Sequence, residues 1–328
     1  MSKYYIKNIK KYYVYYDNYI TNNIIIENAD NKYNLIQNFT YELQNSKFSN
    51  HSVYTDYIEK CSNYVIAIYI KDIPIKFFIY SKKLPFNELI KLTKLYKRIF
   101  ILYKLYNLNK VLNFHLLLCP FKRFMPNSNN NFDSININGG FTYPNGNNIY
   151  IYRYDEYSKV VLHEFIHHIS IINDSIFMLN NYNINKLKTF FNISNTTNLL
   201  PAEGVVEFWA CFYNLLFLSV EYCLPFKTLI KKETLFAINQ YNKLRKFNKY
   251  KLWNEKTNVF SYFIIKLILL YNYEKFLKLE LPYNHDKFIN FIMNNYKKNF
   301  FINLYNKNPD KFTYKSKKSI DFMLFSSF

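Results

Sequence analysis

The chain has 328 residues, 50% hydrophobic and 20% charged, which is the balance of a globular protein with one large domain or two modest ones. The net charge of +20 comes almost entirely from lysines spread along the chain, and the arginines do not cluster. Because nucleic-acid recognition relies on clustered basic side chains, arginine above all, the charge predicts a solvated lysine surface and no specific nucleic-acid partner. The abundance of Tyr, Phe, Lys, Asn and Ile, which have AT-rich codons, indicates a biased genome rather than a function.

The cysteines are scattered, with no CxxC pair, so we expect neither a disulfide framework nor a zinc knuckle. Reduced thiols fit a cytoplasmic compartment. The N-terminal "MSKYYIKNIKKYYVYY" has no apolar region or cleavage site typical of a secretory signal. The most apolar run, "YFIIKLILLYNY", contains Lys266 and is far shorter than the ~20 residues of a membrane span, so we expect no transmembrane segment.

In the first half of the chain, the sequence patterns that indicate helices and strands are weak up to residue 60 and clear after it. Residues 1–60 are polar and Asn-rich and form a poorly specified N-terminal region. The β-branched and aromatic runs "NYVIAIYIK" and "PIKFFIYS" flank the turn signal "DIP" and predict a hairpin. Apolar residues at helical spacing predict a helix over 86–106, which Asn87 would cap, and "VLNFHLLLC" predicts a strand over 111–119.

A loop rich in Pro, Asn and Gly precedes "IYIYR" at 149–153, which alternates like a strand. We expect this strand to form the edge of the sheet over a cleft, where an extended peptide could pair with it. Helical patterns follow from about Asp155 to Ile172, from Pro201 to Leu218, and over most of 226–328. The order predicts an α+β fold in three parts: the N-terminal region 1–60, a core over 61–220, and a mainly helical region over 221–328.

The apolar run "VVLHEFIHHIS" carries an HExxH string at His163, Glu164 and His167. On a helix, residues i and i+4 lie on one face a turn apart, so both imidazoles can reach a single ion. Glu164 projects about 100° round the helix, which suits a general base acting on water rather than a ligand. Zn²⁺ favours such nitrogen and oxygen ligands. The apolar flanks predict that the helix is buried, and buried ionisable side chains need partners.

Two histidines leave a zinc ion one protein ligand short. The longer pattern HExxHxxGxxH is excluded, because Ser170 and Asn173 occupy its Gly and third His positions. His168, at i+5 from His163, points off the shared face, so we expect it to support the site or the fold rather than to bind the ion.

A later helix offers the missing carboxylate. "LLPAEGVVEFWACFYN" starts a helix at Pro201 and places Glu203 and Glu207 at i and i+4 in an otherwise apolar run, where carboxylates need a cation or donors. We favour Glu203 over Glu207 as the ligand, because Gly204 removes a side chain where this helix would approach the His helix. Glu207 could then accept a hydrogen bond from a ligand imidazole and fix its tautomer.

These motifs resemble those of the gluzincins, the thermolysin-like zinc metallopeptidases. "HEFIH" matches their HExxH, and "PAEGVVEFWA" is similar to their third-ligand helix. The resemblance covers roughly residues 63–218. The arrangement "NGGFTYP…IYIYRYDEYSKVVLHEFIHH" also resembles metallopeptidases of large AT-rich DNA viruses, which would imply a host cytoplasm or a virion as the location. It implies a zincin-like lobe, in which a small mixed sheet carries a backing helix and the HExxH helix. It also implies the following roles: Zn²⁺ ligands His163, His167 and Glu203, general base Glu164, and supporting acid Glu207.

The chain departs from thermolysin in the longer gap between His167 and Glu203. Gluzincins also use a Tyr or His to stabilise the oxyanion, and Tyr143, Tyr213 and His285 all stay open for that role. The sequence predicts a zinc-dependent peptidase acting on a peptide or protein substrate. The alternatives are a catalytically inactive zincin-like structural or binding protein, such as a virion component, and, less favoured, a basic nucleic-acid-binding protein.

Overall fold

The computed structural model describes ten stretches of the chain: residues 2–49, 52–60, 64–81, 83–127, 131–143, 145–169, 179–248, 252–279, 284–307 and 321–325. The regular structure in these stretches consists of helices and one mixed sheet, which confirms the α+β class. The chain forms two compact units. The sheet unit comprises the described residues of Tyr5–Lys122 and Asn138–Ile169; the helical unit comprises those of Met1–Tyr4, Arg123–Ile137 and Ser170–Phe325. The division into three parts made from the sequence stays a prediction.

The sheet unit contains a six-stranded sheet in the order β1-β2-β3-β4-β6-β5. Its strands are β1 (Ile24–Asn28), β2 (Val65–Ile70), β3 (Ile75–Tyr80), β4 (Leu112–Leu117), β5 (Gly140–Thr142) and β6 (Asn148–Ile151). The β2–β3 hairpin is confirmed, with Asp72 at φ 64° in its turn. The pairs β3–β4 and β4–β6 are parallel, and the other pairs are antiparallel. β3 and β4 can pair in parallel because the backing helix Phe86–Leu105 connects them and returns the chain to the end of the sheet at which β3 begins.

The expectation that the strand at 149–153 lies at the sheet edge is wrong. β6 (Asn148–Ile151) pairs with β4 on one side and β5 on the other, and β5 (Gly140–Thr142) is the edge strand. β5 has only three residues inside a stretch rich in Gly, Asn and Pro, so no periodicity in the sequence indicates it.

The sequence predicts no element in the N-terminal region, but this region contributes four elements to the sheet unit. They are most of the helix Ser2–Asn23, the other edge strand β1, and the helices Lys32–Asn45 and Ser52–Lys60. Residues at the end of β1 are exposed, as is typical of a strand that pairs on one side only. Side chains of the second and third helices join Val65, Tyr80 and Tyr150 in one apolar core cluster. This region is therefore part of the sheet unit's core.

The predicted helix at 86–106 is confirmed within a residue, but Asn87 is not its cap. The N-cap is Pro85, in an extended conformation, so Asn87 lies inside the first turn. The helix that carries HExxH, the His helix, spans Tyr157–Ile166 and ends earlier than predicted. Part of the predicted extension, residues 170–172, lies outside the described residues.

The helical unit is built around the helix Pro201–Glu221, which we call the Glu helix. Other helices span Ser134–Ile137, Asn181–Phe191, Phe226–Phe247, Lys266–Tyr271, Tyr273–Phe276, His285–Asn295 and Lys298–Lys307, and a π-helix covers Phe260–Ile265. Most described residues after 226 are thus helical, as predicted. The Glu helix is long and apolar enough to cross a membrane, but this rests on length and composition alone, and 83% of the relevant stretch is buried inside the protein. A core helix passes the same test.

Candidate metal centre

The His helix is fixed at its start by a strained turn and by the backing helix. Glu156, just before the helix, adopts a left-handed conformation at φ 59° and is buried. Tyr157 in the first turn donates a hydrogen bond of 2.6 Å to Oε1 of Glu88, and Tyr154 donates one of 2.9 Å to Oε2 of the same carboxylate. Every residue from Tyr157 to Ile166 is buried, as the apolar flanks predict.

The two HExxH histidines lie side by side in the sheet unit. His163 is in the last turn of the helix, and His167 follows its end with helical dihedral angles of φ −61° and ψ −17°, so the i, i+4 relationship is kept. Their ring centroids are 5.3 Å apart and their planes are inclined at 68°. That separation is compatible with two ring nitrogens reaching one tetrahedral ion at ~2.0–2.1 Å.

Burial differs among the members of the motif. His163 and Glu164 are only 6% and 7% exposed, whereas His167 is half-buried. A carboxylate this well buried on an apolar helix carries a desolvation cost unless a cation or donors face it. Glu164 is therefore a core residue of the sheet unit rather than a surface residue.

His168 uses both ring nitrogens within the sheet unit. Nδ1 lies 3.1 Å from Nζ of Lys110, and Nε2 lies 2.8 Å from Oγ1 of Thr142. With both nitrogens engaged, the ring has no lone pair to offer an ion. This arrangement agrees with the expectation that His168 supports the structure rather than binding metal.

The edge strand β5 packs tightly under the His helix. A Cβ atom added to Gly140 would lie 2.9 Å from Cγ1 of Val160 and 2.7 Å from Cδ1 of Ile151. Glycine at this position therefore allows β5 to approach the helix more closely than any other residue could.

The Glu helix starts with Pro201 in its first turn, as predicted, and places Glu203 in that turn. Glu207 lies one turn further on and is 1% exposed, whereas Glu203 is half-buried. Both carboxylates therefore lie on a helix that is otherwise apolar over most of its length. The prediction that the two acids lie a turn apart on one helix is confirmed, and Glu207 is the more deeply buried of the two.

The reason proposed for Gly204 is wrong. The nearest neighbours of a Cβ atom at Gly204 would be Ile265 Cγ2 at 2.6 Å and the Ser261 main-chain oxygen at 2.9 Å, both in the π-helix. Gly204 thus allows the π-helix to pack against the Glu helix beside Glu203. A π-helix widens the turn and has no signature in the sequence, so this neighbour could not be predicted.

The predicted site residues occur in two places. The sheet unit holds His163, Glu164 and His167, and the helical unit holds Glu203 and Glu207. Within the sheet unit, sequence reasoning missed Lys110 and Thr142, which contact His168, and Glu88, which contacts Tyr157. No motif marks these residues, because each lies at least 26 positions from its partner.

The three candidates for an oxyanion donor have different surroundings. Tyr143 follows the edge strand β5 and is 47% exposed, and partial burial raises the pKa of its hydroxyl. Tyr213 is buried in the Glu helix with its ring stacked on Trp209. His285 is the first residue of the helix His285–Asn295. None of these surroundings selects one candidate over the others.

No protein-family model, curated protein or solved structure matches this chain.

Proposed function

We propose that the protein is a zinc-dependent peptidase. The observation that carries the proposal is the pair His163 and His167, whose ring centroids are 5.3 Å apart at the end of a buried helix with Glu164 between them. Buried helices seldom carry three ionisable residues without a chemical reason, because each loses its hydration. This spacing of two imidazoles and a carboxylate suits a hydrolytic metal site.

The donor atoms of the three predicted ligands are of the kinds that bind zinc. His163 and His167 would supply imidazole nitrogens, and Glu203 would supply the carboxylate oxygen. Two nitrogens and one oxygen leave a fourth tetrahedral position open, as in catalytic rather than structural zinc sites. Glu207, a turn beyond Glu203 on the same helix, would accept a hydrogen bond from a ligand imidazole and fix its tautomer.

In the proposed reaction, a zinc ion would supply Lewis acidity toward water and the substrate carbonyl. Glu164 takes a proton from the attacking water and delivers it to the leaving amine. Its position directly after His163 on the buried His helix supports this role. The substrate would be a peptide or protein, and its extended backbone could pair with the free edge of β5.

Metal analysis of the purified full chain tests the ligand set. We expect one zinc per wild-type chain and loss of that zinc in His163→Ala and Glu203→Ala. His285→Ala removes a histidine from a different helix and should keep its zinc. A wild-type chain without zinc, even after reconstitution, would refute the proposal.

Catalysis is tested separately with Glu164→Gln, which keeps the size of the side chain but removes the base. We expect zinc content to stay at the wild-type level, while cleavage of a denatured-protein or peptide-library substrate falls by about 10²- to 10⁴-fold. Full activity in Glu164→Gln would exclude Glu164 as the base. Zinc binding without cleavage of any substrate would favour the inactive zincin-like scaffold instead.

A further inference from the structure

His168 directly follows the candidate ligand His167, and its contacts join several parts of the sheet unit. Lys110, before β4, lies against Nδ1 at 3.1 Å, and Thr142, the last residue of β5, lies against Nε2 at 2.8 Å. The Thr142 hydroxyl also lies 3.0 Å from the main-chain oxygen of Asn148 at the start of β6. One imidazole therefore links the end of the His helix to the sheet edge.

The direction of these hydrogen bonds follows from the chemistry of the groups. The Asn148 carbonyl can only accept, so the Thr142 hydroxyl donates its single hydrogen to that carbonyl. Oγ1 of Thr142 then accepts from Nε2–H of His168, and Nδ1 accepts from the ammonium of Lys110. The network is self-consistent only with the His168 proton on Nε2.

The position of His167 depends on what holds the chain just after the helix. The last helical residue is Ile166, and the amides of His168 and Ile169 bond to the carbonyls of Phe165 and Ile166 across three residues rather than four. Such a tightened terminal turn has weaker hydrogen bonds than the helix interior. Side-chain contacts from the next residue are therefore well placed to fix it.

We infer that His168 is a positioning residue for the metal centre: with Lys110 and Thr142, it anchors the end of the His helix and holds the His167 imidazole beside that of His163. This inference rests on the proposed function in taking His167 as a ligand. The inferred anchor itself consists only of contacts within the sheet unit, and it exists with or without an ion.

The sharpest test changes Thr142, which touches neither candidate ligand by any hydrogen bond described. Thr142→Val removes the hydroxyl at constant shape, and Thr142→Ser keeps the hydroxyl as the matched control. We expect Thr142→Val to weaken zinc binding by about 10- to 100-fold in competition with a chromogenic chelator at one fixed pH, and Thr142→Ser to stay near wild type. His168→Ala and Lys110→Met should weaken binding in the same direction.

A second measurement uses zinc-free protein. Side-chain ¹H–¹⁵N spectra should show the His168 proton on Nε2 in the wild type, and the His167 ring signals should move in Thr142→Val but not in Thr142→Ser. Thermal melting identifies any variant that fails to fold. If one of the test variants does not fold, His168→Gln takes its place in both measurements.

The outcomes separate the inference from the function. If the wild type binds zinc and Thr142→Val binds it equally well, the positioning role is refuted while the proposed function stands. If the wild type binds no zinc, the proposed function fails, and the zinc-free spectra still decide the anchor. Unchanged His167 signals in Thr142→Val would then refute it.

Discussion

The Tyr157 hydroxyl lies 2.6 Å from Oε1 of Glu88, and this contact joins the first turn of the His helix to the first turn of the backing helix. Burial, followed by the neighbouring Glu88 carboxylate, raises the pKa of Tyr157 well above its usual range, so the phenol stays protonated and donates. Glu88 is itself buried. The start of the metal-site helix is therefore fixed by a charge-assisted hydrogen bond.

Removing this donor should destabilise the sheet unit. We expect Tyr157→Phe to lower the free energy of unfolding by about 1.5–3 kcal/mol, because the buried carboxylate loses a hydrogen bond. Tyr154→Phe is the matched control: its hydroxyl donates to the same carboxylate at 2.9 Å, but its side chain is 42% exposed, so water can replace it. Equal losses in urea unfolding of the two variants would contradict this ranking.

A buried histidine in the sheet should make the protein sensitive to mild acid. His115 on β4 lies between the rings of Phe78 and Tyr150, and its Nδ1 lies 2.8 Å from the hydroxyl of Tyr80. Burial lowers the pKa of His115 from 6.5 to about 4, and a hydrogen bond with Asn148 opposes that shift. The folded protein therefore holds this imidazole neutral at a pH where the unfolded chain protonates it.

The sign of the effect follows from proton linkage. Above pH 6.5, His115 is neutral in both states, and as the pH falls from 6.5 to about 4 only the unfolded state gains the proton. The free energy of unfolding should therefore fall by about 3 kcal/mol across this window. His115→Gln should unfold in urea with a shallower pH dependence between pH 7 and pH 4. Parallel pH profiles of the variant and the wild type would show that His115 does not contribute.

The parts of the candidate site that the sequence reveals are those encoded locally. HExxH is readable because i and i+4 on a helix determine which side chains meet, and the structure keeps His163 and His167 in that relationship. The contacts of His168 are not readable, since they involve Lys110, 58 residues away, and Thr142 in a three-residue strand. Contacts between distant segments are set by packing, which one sequence does not encode as a pattern.

The same distinction explains the fold. The β2–β3 hairpin and the backing helix carry strong periodicity, and both were predicted correctly. The order of β5 and β6 was not predicted correctly, because it depends on which short strand pairs at the edge of the sheet. The wrong neighbour predicted for Gly204 has a similar cause, because the lack of a Cβ atom indicates close packing but does not identify the packing partner.

Gly204 should not tolerate a methyl group. Alanine in place of glycine within a helix normally adds about 1 kcal/mol of stability. At Gly204 the new Cβ would lie 2.6 Å from Ile265 Cγ2 and 2.9 Å from the Ser261 main-chain oxygen, and a backbone atom cannot move aside cheaply. Overpacking of this kind costs about 1–3 kcal/mol, so we expect Gly204→Ala to be net destabilising.

Gly146→Ala is the control for this substitution. Its added Cβ would meet the Tyr143 main-chain oxygen at 3.2 Å, a contact that a small shift relieves. We therefore expect a smaller change in melting temperature for Gly146→Ala than for Gly204→Ala. A stabilised Gly204→Ala protein would mean that the π-helix does not pack against the Glu helix at this point.

The C-terminal segment Asp321–Phe325 is held in the helical unit by buried polar side chains from separate helices. Lys266 donates to the main-chain oxygen of Phe322, Asn214 donates to that of Phe325 at 3.0 Å, and the Leu324 amide donates to Glu233 at 3.0 Å. The Phe322 ring also stacks on Phe263, with centroids 4.9 Å apart. The main chain of this segment therefore takes part in the core of the unit rather than lying on it.

We expect Lys266→Met to lower the free energy of unfolding by about 1–3 kcal/mol, although methionine fills similar space, because the buried Phe322 carbonyl loses its donor. Lys231→Met, at an exposed position of the helix Phe226–Phe247, is the matched control and should change stability by less than ~0.5 kcal/mol. Limited proteolysis gives an independent readout, since loosening of Asp321–Phe325 should speed cleavage near the C-terminus in Lys266→Met only. If Lys266→Met melts and is cleaved like the wild type, the Lys266 contact does not hold this segment in place.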